Sequence, residues 1–186
     1  MDLHTAFTQY HPWNPQEAQD RAEILRRLTQ GEPLLSRDHL GAHLTVSGWV
    51  VSPDRTKVLL AYHNLYDSWA WLGGHADGEP DLLTVALREV EEESGLTARP
   101  VSEDIFSLEI LPVAGHEKHG TYVPSHLHFN VTFLLEADPS APARHKADEN
   151  SAVAWFSPEE ALAASSEPWI RDRIYRKLIE KTAALF

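Results

Sequence analysis

The sequence predicts one mixed α/β domain of the α+β kind, with helices around a largely mixed sheet. Three observations predict it. Runs rich in β-branched and aromatic residues, such as HLTVSGWVVS and KVLLAYH, alternate with segments whose apolar residues recur at helical spacing. A chain of 186 residues is long enough for one well-cored domain and short for two. No internal repeat or long linker divides it, and 42% hydrophobic with 24% charged residues is a globular composition.

The elements follow in order. In Asn14-Pro15-Gln16-Glu17, Asn14 caps a helix, Pro15 suits its first position and Glu17 stands where a capping acid belongs. Ala18, Ala22, Leu25 and Leu28 then recur at helical spacing until Gly31 and Pro33 stop the run. Residues 1–40 are therefore read as an N-terminal helical accessory segment and 41–186 as the main domain. Strands are predicted at HLTVSGWVVS, KVLLAYH and WAWL, the last leading into Gly73-Gly74. A helix over 81–94 follows, then strands at about 105–114 and 126–136 and a short one at AVAWF. GHEKHGTYVPS and ADPSAPARHKADENS read as loops. Ser157-Pro158-Glu159-Glu160 opens another capped helix, and Pro168 precedes a C-terminal helix with Ile170, Ile174, Leu178 and Ile179 on one stripe.

Charge narrows the function. With 28 acids against 16 Lys and Arg the net charge is −12, and no basic run offers a surface for duplex nucleic acid. An anionic small molecule is compatible with that charge only if divalent cations bridge two negative parties. No stretch approaches the ~20 apolar residues of a membrane helix, and the first residues lack the basic start and apolar run of a signal peptide. The absence of cysteine removes disulfides, thiolate metal sites and a cysteine nucleophile. A cytoplasmic protein is expected.

The helix over 81–94 carries most of the chemistry. Leu83, Ala86, Leu87 and Val90 form its apolar side, and Gly95 suits the left-handed residue that ends it. At 100° per residue, Glu89, Glu92 and Glu93 share an arc of about 100°, whereas Glu91 lies well away. They crowd the helix end that already bears partial negative charge. Two readings stand: a solvated acidic face partly relieved by Arg88, or a site for a hard cation such as Mg²⁺ or Mn²⁺, which takes carboxylate, carbonyl and water oxygens. The adjacent Gly73-Gly74 favours the second, because glycine admits close backbone approach.

The stretch GGHADGEPDLLTVALREVEEESGL resembles the Nudix box: Gly74 leads, and Arg88-Glu89-Val90-Glu91-Glu92-Glu93-Ser94-Gly95-Leu96 matches the whole second half. The resemblance extends to the order of strands and helices over roughly residues 40–165. It implies a Nudix-type α/β/α sandwich with a mixed sheet, here with an added N-terminal helix. It also implies a metal-dependent hydrolase cleaving the pyrophosphate linkage of a nucleoside diphosphate derivative or nucleotide. Glu89, Glu92, Glu93 and the Gly74 carbonyl would be ligands to Mg²⁺ or Mn²⁺, and Arg88 would hold a box carboxylate in place. One position departs: the first glutamate of the pattern falls on Pro80. Glu79 and Asp81 flank it, and a shift of one residue turns a side chain by ~100°, so altered rather than absent metal binding is expected.

Members of the family often place a further acid in a later loop, as ligand or general base; Glu149 is the candidate here, and a solvated loop acid is the plain alternative. Trp49, Trp69 and Trp71 lie near the box; an aromatic face among them, Trp71 first, suits a base, while a core role for at least one is expected. His126 and His128 share a strand face and, with His116 and His119, are candidates to contact phosphate or metal. Pro112, sixteen residues after Leu96, is a weak pointer to ADP-ribose-cleaving relatives, and WAWLGG lacks the signature of coenzyme A diphosphatases. Isopentenyl diphosphate isomerases share the fold but use a cysteine that this chain lacks. A non-catalytic ligand-binding module is the remaining alternative, with Pro80 in its favour. Many relatives are dimers, and the N-terminal helix is a candidate surface for a homodimer.

Overall fold

The computed structural model describes residues 2–118 and 120–186, apart from the side chain of Lys118. Two helices come first, α1 (Leu3–Gln9) and α2 (Pro15–Thr29), the latter capped by Asn14 as its sequence indicates. The strands β1 (Ala42–Val51), β2 (Val58–His63), β3 (Ser68–Ala70) and β4 (Leu72–His75) precede α3 (Leu82–Ser94). After it come β5 (Arg99–Pro100), β6 (Ser107–Val113), β7 (His116–Lys118), β8 (Thr121–Val123), β9 (His126–Glu136) and β10 (Asn150–Phe156). α4 (Pro158–Ala164) and a π-wound stretch, Ile170–Tyr175, lead into α5 (Arg176–Leu185).

The main sheet has eight strands, with the path β10-β2-β1-β9-β5; β3 adds to β2, β4 to β1 and β6 to β9. β1 and β9 run parallel over ten residue pairs, from Ala42↔Leu127 to Val51↔Glu136, and the other pairings are antiparallel, so the sheet is mixed. β1 is buried at every residue, as a central strand covered on both faces must be. On one face, Val46 and Val50 pack with Val85, Ala86 and Val90 of α3. Gly48 permits this approach, since a Cβ there would lie 2.7 Å from Val90. On the other, Trp49, Val51 and Leu60 pack with Ala161, Ile174, Tyr175 and Leu178. These two covered faces make the expected sandwich.

Local differences from the sequence reading have local causes. Asp81 is the N-cap rather than a helical residue: its carboxylate accepts from the Thr84 N–H at 3.2 Å and the Thr84 hydroxyl at 2.8 Å. The segment 115–125, read as a loop, contains the β7–β8 hairpin, paired His116↔Val123 through Lys118↔Thr121 and turning at Gly120 (φ 76°). Its strands are three residues each, too short for periodicity to reveal.

The N-terminal segment enters the core through Phe7, Tyr10, Ile24 and Leu34. Glu17, on α2, is 0% exposed and meets Lys181 Nζ at 2.9 Å, Lys177 Nζ at 3.1 Å and the Ser107 hydroxyl at 2.8 Å, with the Tyr10 hydroxyl also donating to it. Lys177 also meets Glu109 at 2.9 Å. Burial alone would raise the Glu17 carboxyl, but Lys177, Tyr10, the Trp13 N–H and Lys181 together hold it at about 2. Because the folded-state value lies below the ordinary 4.5, this carboxylate stabilises the fold above pH 4.5, and its contribution disappears as pH falls towards 2. Glu17→Gln leaves two buried ammoniums with one fewer carboxylate and is expected to cost roughly 3–5 kcal/mol. Urea unfolding at pH 7 and pH 3 checks this: the loss should shrink at the lower pH, and an equal loss at both would contradict the ionic account.

Candidate active site

Two glycines draw α3 and β4 together. β4 lies antiparallel to β1, with Ser47 opposite Gly73 and Val46 opposite Gly74. A Cβ on Gly73 would fall 2.2 Å from the Val46 carbonyl oxygen, and one on Gly74 would fall 2.6 Å from the Glu89 carboxyl carbon. The space that a side chain would take at 74 is therefore occupied by the Glu89 carboxylate. The Gly73 N–H donates to Glu93 Oε2 at 3.1 Å. Both contacts follow from helix phase: Leu82, Val85, Ala86 and Val90 bury one side of α3, and Glu89 and Glu93, four residues apart, flank that side at its C-terminal end.

The remaining box residues sit around this contact. Arg88 Nη2 lies 3.2 Å from Glu89 Oε1, and its Nε lies 3.8 Å from Glu92 Oε1. Glu92 is exposed, as is Glu91, whose carboxylate falls outside the set. From the loop before β10, Lys146 Nζ reaches Glu149 at 3.0 Å and Glu92 at 3.7 Å. Lys146 thus brings this loop against the box, and the charge of Glu149 adds to the negative surroundings of Glu93. Pro80 is exposed and precedes the helix cap, and Asp81 is engaged by Thr84, so neither supplies a carboxylate to the group.

Crowding shows in the acidities. Glu93 is 5% exposed, and burial pushes its carboxyl up to about 8, opposed by the Gly73 N–H and reinforced by the charges of Glu149 and Glu89. Burial likewise raises Glu89; Arg88 opposes this and Glu92 adds to it. Asn150, 1% exposed beside Glu93, has neither side-chain polar atom in a well-formed hydrogen bond. Carboxyls raised by burial and by neighbouring carboxylates are groups whose ionised form a divalent cation would favour.

The other sequence-derived candidates lie elsewhere. Trp49 is fully buried against Tyr175, and Trp69 packs edge-on against Tyr62 and Phe156. Trp71 is half-buried, with its ring edge-on to Tyr175 and its backbone N–H donating to the Tyr175 hydroxyl at 3.0 Å. His126 and His128 belong to an imidazole group with His43 and His75, ring centroids 4.8–5.0 Å apart in the pairs that touch. His116 stands at its margin, 6.5 Å from His126, and His119 lies outside the described residues. Lys146, Asn150, His43 and His75 were not singled out in the sequence. His75 follows Gly74 directly and His43 shares a strand face with Thr45 and Ser47, but only the strand register brings them together.

The arrangement first defines a class: a mixed sheet between helices, with a carboxylate-bearing helix docked on a Gly-Gly strand. The NUDIX domain model matches residues 41–178, and the chain belongs to that family, that of the Nudix pyrophosphohydrolases. No curated protein matches the sequence. Among solved structures, it is similar to a C. elegans Ap4A hydrolase in a binary complex (18% identity, TM-score 0.55, covering 76% of this chain and 96% of that one). It is also similar to a NUDIX-family hydrolase from Clostridium perfringens (23%, 0.53, 77% and 98%) and a NUDIX hydrolase from Nitrosomonas europaea (21%, 0.55, 76% and 88%). At these identities the likeness is one of fold.

The two glycines should respond differently to a methyl group. Gly73→Ala meets backbone and is expected to cost about 1–3 kcal/mol. Gly74→Ala meets only the far end of the Glu89 side chain, which can turn aside, and should cost less, about 1 kcal/mol or below. Thermal unfolding of both variants checks this, and equal losses would contradict the close-approach account.

Proposed function

We propose that this protein hydrolyses the pyrophosphate linkage of a nucleoside diphosphate derivative or nucleotide, using Mg²⁺ or Mn²⁺ at the box carboxylates. The observation that carries this reading is the convergence of Glu89 and Glu93 on the Gly73–Gly74 backbone, with Glu92 and Glu149 alongside. The donor set fits the cation: it is all oxygen, and burial raises the carboxyls of its two inner members, Glu89 and Glu93. Glu89, Glu92, Glu93 and the Gly74 carbonyl would hold it. When bound, such a cation offsets diphosphate charge and acidifies water.

The chain's own groups then have distinct work. Arg88 restrains Glu89 and Glu92. Glu149, half-exposed and paired with Lys146, is proposed as the group that takes a proton from an attacking water. Trp71 is the aromatic proposed to stack on a base. His126 and His128, proposed from the sequence to meet substrate, are held in a group whose chemistry suits a different ligand. A binding module is the second reading, favoured by Pro80 and by the engagement of Asp81 in capping.

A product screen separates the two. Nucleotide sugars, ADP-ribose, dinucleoside polyphosphates and nucleoside triphosphates are offered with Mg²⁺ or Mn²⁺; the dinucleoside arm is suggested by the Ap4A hydrolase of like fold. Turnover in at least one class is expected, and Glu92→Gln should lower kcat by roughly 10²–10⁴-fold, the range for loss of a catalytic group. Metal-independent binding without turnover would favour the module, and an unchanged kcat in Glu92→Gln would remove the assignment of Glu92.

A further inference from the structure

We infer that His43, His75 and His128 form a second metal site, distinct from the carboxylates and suited to a borderline cation of the Zn²⁺, Co²⁺ or Ni²⁺ kind. One ligating atom from each of these residues lies within 4.8 Å of the others. They come from three strands: the β1–β9 register sets His43 directly beside His128, and β4 brings His75 opposite Thr45, two residues from His43. Side chains alternate along a strand, so His75 points away from the face on which Gly74 meets Glu89. The two donor sets thus lie back to back on β4.

The local hydrogen bonding prepares lone pairs. His43 is 4% exposed; its Nδ1 faces the His39 carbonyl at 3.4 Å, and its Nε2 is buried with no hydrogen-bond partner. A buried ring nitrogen without a partner costs free energy that a metal bond would recover. His126 donates from Nδ1 to the Pro124 carbonyl at 2.8 Å, which leaves its Nε2 to accept from His128 Nε2 at 3.1 Å. His126 thereby fixes the tautomer and orientation of a proposed ligand, as outer partners of metal-bound histidines do. Nitrogens on a tetrahedral zinc at 2.0–2.1 Å stand about 3.4 Å apart. Shared ring rotations of about 1 Å close 4.8 Å to that spacing. Imidazole donors select Zn²⁺, Co²⁺ or Ni²⁺, whereas the all-oxygen site selects Mg²⁺ or Mn²⁺. Three ligands leave a fourth position for water or an incoming anion. A metal there would also clamp β4, the strand that carries Gly73 and Gly74, to β1 and β9.

Zinc titration of the full chain in saturating Mg²⁺ tests the site without an activity readout, so it succeeds or fails independently of the hydrolase reading. The wild type and Glu89→Gln are each expected to bind one Zn²⁺ and to gain thermal stability from it. His75→Gln and His128→Gln should each weaken zinc binding by roughly tenfold or more. His75 is half-exposed, so His75→Gln serves if His128→Gln fails to fold. No zinc binding by the wild type, or undiminished binding in His75→Gln with loss in Glu89→Gln, would overturn the inference.

Discussion

The site depends on one constraint: carboxylates that repel are held against a backbone that has no side chains to keep them away. Burial and neighbouring carboxylates raise both Glu89 and Glu93, the mark of negative groups gathered away from water. Here Glu89 fills the space of a missing Cβ on Gly74, and Glu93 is tied to the Gly73 N–H. The helix cannot withdraw, because Val85, Ala86 and Val90 are fully buried against β1 beneath it. The packing energy of α3 thus sustains an electrostatic arrangement that is unfavourable by itself. Arg88 offsets part of it at Glu89 and Glu92, and Lys146 at Glu92, whereas Glu93 is met by the Gly73 N–H.

The strand on which those glycines rest is braced from within. Ser47, opposite Gly73, donates to Asn130 at 2.9 Å; Asn130 donates to Glu109 at 3.1 Å; Glu109 pairs with Lys177, which also meets Glu17. This chain of contacts joins α2, β6, β9, β1 and α5 through groups that are each at most 4% exposed. Within it Lys177 stands between the carboxylates of Glu109 and Glu17, and Lys181 adds a second ammonium at Glu17, as buried charges require. The N-terminal helix is therefore coupled through the sheet to the neighbourhood of the site.

Much of this was legible in the sequence, for identifiable reasons. The strands β1, β2 and β9 are long enough for composition to show, and α3 announces itself by apolar spacing, a cap and Gly95. Spacing also separated Glu89, Glu92 and Glu93 from Glu91. What was not legible depends on contacts distant in sequence. Glu17, Glu109, Lys177 and Lys181 are residue types that ordinarily face water, and nothing local marks them as buried. His43, His75 and His128 converge only through strand register, and the β7–β8 hairpin is too short to show a period.

If these carboxylates are a divalent-cation site, Mn²⁺ should occupy it in the crystal. Anomalous scattering from a crystal equilibrated with Mn²⁺ addresses it most directly. The account predicts a manganese peak coordinated by carboxylate oxygens of Glu89, Glu92 or Glu93 and by the Gly74 carbonyl, at oxygen-ligand distances of about 2.0–2.2 Å. A crystal in which saturating Mn²⁺ leaves that position empty while binding elsewhere would contradict it.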